Sequence, residues 1–210
     1  TNEKELIANY LTKQKVNNVN NENLNSCNKE PLINNYSKKS EWTSWGFDHF
    51  NTRFQPVSNI NASNLNKLNL KWSFGLKETD TRGQPIVIGD IVFISGKSLH
   101  AIDKETGCSY WSFTPKSSAG FRNSPVFDTT NRNSIYVVDS NFMVYKLNIK
   151  DGSIAWKTKI DKEFESNTSS ASPVFGGNYL FIPVSTYETV MAIDPNYECC
   201  KTSGGMVVIN

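Results

Sequence analysis

Two stretches of this chain repeat one pattern. Asp103, Gly107 and Trp111 have the same spacing as Asn148, Gly152 and Trp156. Each set closes a longer unit. Pro85, Pro125 and Pro173 open successive units 40 and 48 residues apart, and Trp72, Trp111 and Trp156 lie 39 and 45 apart. A period of roughly 40–45 residues holding several short apolar runs marks a β-propeller, in which each repeat is one four-stranded sheet. In the first unit, Ile86 to Ile88 reads as an inner strand, paired across the Gly89-Asp90 turn with Ile91 to Ile94. Leu99 to Ile102 follows, and a turn over Lys104 to Gly107 leads into an outer strand through Trp111. Gly107 and Gly152 stand where a tight hairpin demands positive φ. The repeated tryptophan is large enough to fill the gap between neighbouring blades.

The expected fold is therefore all-β, a partial propeller of about three four-stranded blades over residues 41–210. A ring of about four to eight blades closes on itself, and three do not. The chain starts at Thr1 without Met and stops inside the apolar run Met206 to Ile209, so both ends are read as cut.

Upstream of the repeats, Asn2 with Glu5 fits an N-cap and its reciprocal acid. Leu6, Ile7, Tyr10 and Leu11 share one helical face. Residues 1–15 are accordingly read as the terminal helix of a truncated domain. Residues 16–40 are read as a linker. Its first twenty residues hold nine asparagines and few apolar side chains, too little to offset the entropy of ordering. Leu70 to Phe74 reads as a strand preceding the first full unit.

The net charge of +2 points to no class of partner. No basic stripe interleaved with aromatics suggests nucleic acid, and no apolar run reaches the ~20 residues that span a bilayer.

The four cysteines form neither CxxC nor CxxCH, so these residues encode no zinc site and no haem attachment. Cys108 is either a buried thiol or the partner of Cys27. Cys199 and Cys200 are adjacent. Ordinary disulfides prefer Cα separations of about 4.4–6.8 Å, beyond the ~3.8 Å between neighbours. A bridge between them would be a small rigid ring with a flat polarisable face; the alternatives are two thiols on a turn, or one of the two cysteines bridged elsewhere. Arg122 precedes a unit's first strand, where loops face the propeller axis and a guanidinium can grip a carboxylate bidentately. Glu188 follows the apolar run Leu180 to Val184, and a solvated loop glutamate is one reading of it. His49 and His100 are isolated, and packing explains His100 best.

Several stretches together resemble one family. They are WTSWGFDHFNTRFQP from Trp42, INASNLNKLNLKWSF from Ile60, TGCSYWSF from Thr106, FRNSPV from Phe121 and VSTYETVMAIDPNYECC from Val184. The combination of TGCSYW with YECC is the specific part. From Trp42 to Asn210 the chain resembles the propeller of the pyrroloquinoline-quinone (PQQ) alcohol dehydrogenases, in particular their polyvinyl-alcohol dehydrogenase branch. The resemblance implies oxidation of alcohol groups, polymeric or secondary ones among them, with electrons passed to cytochrome c.

It also implies the parts of a site. PQQ would lie against the Cys199–Cys200 ring, with Arg122 on one of its three carboxylates and Glu188 helping to hold Ca²⁺. In the family's mechanism Ca²⁺ polarises the quinone C5 carbonyl, an aspartate deprotonates the alcohol and hydride passes to the quinone. That aspartate belongs to a later blade, beyond Asn210. The helix EKELIANYLTK resembles the last helix of a cytochrome c domain, which would place haem c upstream of Thr1. A periplasmic or secreted location is implied. One departure is clear: the family tends to have Thr-Phe-Arg-Gly after the paired cysteines, and here Lys201 to Gly204 lacks the arginine. The rival reading is a non-catalytic propeller of the outer-membrane-assembly scaffold type, which binds protein partners.

Overall fold

The computed structural model describes residues 26–33, 41–48, 50–76, 81–116, 120–160, 167–168, 170–186, 188–198 and 204–210. The helix expected over 2–15, His49, Cys199 and Cys200 lie outside the described residues.

Three antiparallel sheets follow one another along the chain. The first runs β1 (Ile86–Ile88), β2 (Ile91–Ser95), β3 (Leu99–Asp103) and β4 (Ser109–Phe113). The second runs β5 (Val126–Phe127), β6 (Ser134–Val138), β7 (Met143–Asn148) and β8 (Ile154–Lys159). Each keeps its strands in sequence order. Each proline named above immediately precedes an innermost strand, where a residue with no N–H costs no ladder bond.

The third sheet departs from this plan. β10 (Val174–Gly176), β11 (Tyr179–Thr186) and β12 (Gly205–Ile209) lie in order, while β9 (Asn167–Thr168) pairs with the far end of β11. A short helix, α1 (Glu188–Met191), follows β11 in the excursion that returns at β12.

The two complete blades match residue by residue. Trp111 sits opposite Ala101 and Trp156 opposite Lys146, with a register shift at the next pair in both sheets. Asp103 N–H donates to Cys108 O, as Asn148 N–H does to Ser153 O, both at 2.8 Å. Gly107 and Gly152 have φ of +74° and +71°. A Cβ on Gly152 would come within 2.5 Å of the Trp111 ring. Glycine is thus required twice over, for its left-handed backbone and for the approach of the preceding blade's indole. Trp111 Nε1 completes that contact by donating to Ile149 O at 3.0 Å.

Alternation divides the core. Ile135 and Val137 of β6 pack towards the first blade with Phe93, Leu99 and Ile86. Tyr136 and Val138, on the opposite face, pack towards Leu180 and Ile182 of the third. All of β6 is buried, because the middle blade has a neighbour on each face. Burying one such Val or Ile contributes ~1.5–3 kcal/mol.

Part of the asparagine-rich stretch is docked. Cys27 and Cys108 form a disulfide with Cα atoms 5.2 Å apart, which decides between the two readings of Cys108. Ser26 bridges Ser109, Ile33 enters the core, and Lys29 Nζ meets Asp103 at 2.8 Å. Burial pushes the Asp103 carboxyl pKa up, but hydrogen bonds from Lys29, Tyr110 and Thr106 outweigh it and hold the group well below its ordinary value. Low overall hydrophobicity argued for a linker here; residues 26–33 are instead held by Cys27, Lys29 and Ile33 together with backbone bonds from Cys27 N–H to Ser109 O and from Asp90 N–H to Leu32 O.

Leu70 to Phe74 is not assigned to a sheet. Residues 69–76 make no backbone–backbone hydrogen bond with any described residue.

Candidate active-site pocket on the axis side

The segment from Glu41 to Asp48 runs across the inner edges of two blades. Trp42 pairs with Val87 through two backbone bonds of 2.9 Å, and Phe127 N–H donates to Thr43 O. Glu41 anchors the start, accepting from Arg132 at 2.5 and 3.1 Å. Arg132 in turn lies over the Phe127 ring. At the other end Gly46 turns with φ of +78°, and its N–H donates to Gln84 Oε1 at 2.9 Å. Asp48 closes a turn by accepting from the Phe50 and Thr52 amides and the Thr52 hydroxyl.

The residues just before the three prolines form a chain around the axis. Gln84 N–H donates to Ser124 Oγ at 2.7 Å, and Ser124 N–H donates to Ser172 Oγ at 2.9 Å. Each unit is thereby tied to the next at the same position, 40 and 48 residues on.

These elements enclose a pocket of about 510 Å³. Ser44, Trp45, Asp48 and Asn51 come from the axial segment, and Arg82, Arg122 and residues 170–174 from the approaches to the three inner strands. Arg82 stands three residues before Pro85, as Arg122 stands three before Pro125 and Ser170 three before Pro173. The fold therefore carries two guanidiniums from equivalent positions to one mouth. Arg53 lies over the Trp45 ring, 5.7 Å from its centroid. Two arginines, three serines and an indole suit a planar, polyanionic ligand: the arginines provide charge-assisted donors and the indole an apolar wall.

Of the residues singled out in the sequence, Arg122 lines this pocket and Glu188 does not. Glu188 is 4% exposed and accepts from Tyr197 OH at 2.9 Å. That bond and its charge raise the Tyr197 phenol's pKa. Among the described residues, no three His, Cys, Asp or Glu side chains gather as a metal site would need. Glu188 follows the end of β11 that lies beyond the start of β10, since β11 runs antiparallel to β10 with Phe181 opposite Val174 and continues to Thr186, opposite Asn167 of β9. The excursion before β12 leaves and re-enters at this end, with Val184 opposite Gly205. His100 is mostly buried against Phe74, and burial lowers its pKa.

Arg82 was missed in the sequence, as was the axial role of Glu41 to Asp48. The signal for Arg82 was present: it holds the same offset from its proline as Arg122. Nothing in composition distinguishes an axial segment from an outer one.

A family profile described as "Glucose/ethanol/alcohol dehydrogenase, beta-propeller domain" matches residues 42–140. A polyvinylalcohol dehydrogenase of a Pseudomonas species is 29% identical over 180 residues, covering 83% of this chain and 28% of the relative. A quinohemoprotein alcohol dehydrogenase of Comamonas testosteroni is 33% identical over 93 residues, 42% of this chain and 13% of the relative. The crystal structure of quinohemoprotein alcohol dehydrogenase from the same organism superposes with a TM-score of 0.62 at 25% identity, covering 71% of this chain and 24% of that one. The chain spans under a third of the length of these relatives. The three sheets share the fold of quinoprotein alcohol dehydrogenase β-propellers, and the chain is similar in sequence to polyvinyl-alcohol and quinohemoprotein alcohol dehydrogenases.

Proposed function

We propose that this chain supplies one side of the quinone site of a PQQ-dependent dehydrogenase that oxidises alcohol groups, those of secondary or polymeric alcohols included. The observation that carries the reading is the pair Arg82 and Arg122, brought from equivalent positions of successive blades to one axial pocket. PQQ bears three carboxylates on a planar ring system, and the pocket's donors match that chemistry. When bound, PQQ supplies the two-electron acceptor for the alcohol carbon. Arg82 and Arg122 bind its carboxylates, the serines orient them, and Trp45 keeps water from one side. Cys199 and Cys200, just before the chain re-enters at Gly205, are proposed to be bridged to each other and to offer a flat face to the ring.

For Ca²⁺ the fit is poorer. Glu188 already accepts from Tyr197, and no gathered ligand set accompanies it among the described residues. No step is assigned to the ion. Electron transfer to a cytochrome c, an upstream haem c domain and a periplasmic location belong to the same proposal, drawn from the chain's relatives. No helix among the described residues is long and apolar enough to cross a membrane. The scaffold alternative is less favoured, because the curated relatives named above are alcohol dehydrogenases.

The test is PQQ-dependent dye reduction by the longest natural polypeptide containing these residues, with primary, secondary and polymeric alcohols. Turnover above that of free PQQ is expected. Arg122→Ala should raise the PQQ concentration for half-maximal rate about 10–100-fold, the loss of one charge-assisted bond of ~1.5–3 kcal/mol. No PQQ-dependent turnover with any alcohol would refute the reading.

A further inference from the structure

One turn of the second blade is longer than its counterparts. Two residues join β1 to β2, and two join β10 to β11, but six, Asp128 to Asn133, join β5 to β6. The longer turn is built around Asp128. Its carboxylate accepts from the Thr130 and Asn131 amides, and its carbonyl accepts from Arg132 N–H at 2.9 Å. The turn leaves Arg132 at φ +55°, a left-handed conformation uncommon for a residue with a side chain. The first blade closes the same hairpin with Gly89 at positive φ, so the sheet itself does not require a strained arginine. What the longer turn gains is reach. The Arg132 fork meets both oxygens of Glu41, 91 residues earlier in the chain, at 2.5 and 3.1 Å. The Glu41 side chain is 2% exposed and that of Arg132 25%.

This pair sits at the opposite end of the inner strands from the pocket. Trp42 runs antiparallel to Val87, so Glu41 lies towards the β1–β2 turn and Thr43 towards Pro85. Thr43 O accepts from Phe127 N–H, and further on Gly46 N–H donates to Gln84 Oε1. Gln84 is itself tied to the second blade through Ser124. Ser44 and Trp45, which line the pocket, are the two residues between these fixed points. Trp45 is 39% exposed, so the chain on either side does much to place it. Strain and a buried ion pair at one end of the axial segment thus act on a pocket wall at the other.

We propose that Glu41 and Arg132 are positioning residues for the pocket: their ion pair fixes the axial segment lengthwise and so sets where Ser44 and Trp45 stand relative to Arg82 and Arg122. The two arginines belong to the blades, while Ser44 and Trp45 belong to the segment laid across them. The gap between the indole wall and the guanidiniums therefore depends on how the segment is anchored. A site of this kind holds a planar anion only if the groups behind its lining are themselves locked. A bidentate arginine–carboxylate pair supplies such a lock, because its fork fixes direction as well as distance. Backbone strain at Arg132 persists because the pair holds it. That the anion is PQQ rests on the function proposed above; the positioning does not.

Fluorine NMR of the longest natural polypeptide containing these residues, labelled with 5-fluorotryptophan, tests this. The resonances of Trp45, Trp111 and Trp156 are assigned by substituting each with phenylalanine. Glu41→Gln removes the buried charge and leaves the partly exposed guanidinium to water. Arg132→Lys keeps the charge and loses the fork. In both variants the Trp45 resonance should shift while those of Trp111 and Trp156 stay, showing that the blades persist. Glu105→Gln, which breaks the exposed pair with Lys71, should leave Trp45 in place. The dissociation constant of added PQQ should rise ~2–10-fold in Glu41→Gln and Arg132→Lys, the scale of one aromatic contact, and stay unchanged in Glu105→Gln. An unmoved Trp45 would overturn the inference. Equal shifts of Trp45, Trp111 and Trp156 would overturn it by making the pair a support of the whole fold, and so would a moved Trp45 with unchanged PQQ affinity. If the parent binds no PQQ, the quinone reading fails, and the Trp45 resonance alone decides the positioning.

Discussion

Converting Cys27 and Cys108 together to serine is expected to lower unfolding stability by up to ~4.5 kcal/mol, the chain-entropy figure for closing a loop of this length. The bridged residues are 81 apart, so the bond constrains a large part of the unfolded chain. The loss acts on the folded side as well. Without the bond, residues 26–33 keep the Lys29–Asp103 pair and the burial of Ile33. Lys29 is half exposed, so that pair is weakened by solvent. Urea denaturation of the double variant, read against the oxidised parent, should show a clearly lower midpoint. Limited proteolysis should then cut within 26–33 first. A loss under 1 kcal/mol would mean that the arm is held by its noncovalent contacts alone.

Replacing Trp111 with alanine should cost ~3–5 kcal/mol, the range for deleting a large aromatic from a packed position. Three contacts go together: the hydrogen bond to Ile149 O, the face against Gly152 and the packing with Phe93. Trp111→Phe should recover part of the loss, because a ring still covers Gly152 while the indole N–H is gone. The measurement is again the urea midpoint, with near-ultraviolet circular dichroism to show that the blades persist. If Trp111→Ala costs no more than an exposed substitution, the tryptophan does not join the blades.

These two predictions differ in how much of their basis could be read from the sequence. The Trp111 contact was legible, because Asp103, Gly107 and Trp111 recur as Asn148, Gly152 and Trp156, and a repeated unit must stack on its neighbour. The Cys27–Cys108 bond was legible only as one of two alternatives, since pairing depends on Cα positions that spacing does not report. The strand expected at Leu70 to Phe74 is not observed: burial alternates along it, but its backbone has no partner among the described residues, and hydrogen-bond partners are a property of the sheet and not of the segment.

The site shows the same division. Arg122 could be singled out because loops before inner strands face the axis. Its companion Arg82 needed the repeat offset, and the axial path of Glu41 to Asp48 needed coordinates, because Trp42 and Thr43 bond to Val87 and Phe127 through their backbones alone. Backbone pairing of that kind leaves no mark on residue type.

The central claim is that the pocket shared by Trp45, Arg82, Arg122 and Ser172 is a quinone site. The most direct measurement is an experimental structure of the longest natural polypeptide containing these residues, grown with PQQ. The account predicts a planar tricyclic group in this pocket, with a carboxylate within hydrogen-bond distance of Arg82 or Arg122. PQQ bound away from the axis, with both arginines facing solvent, would contradict it.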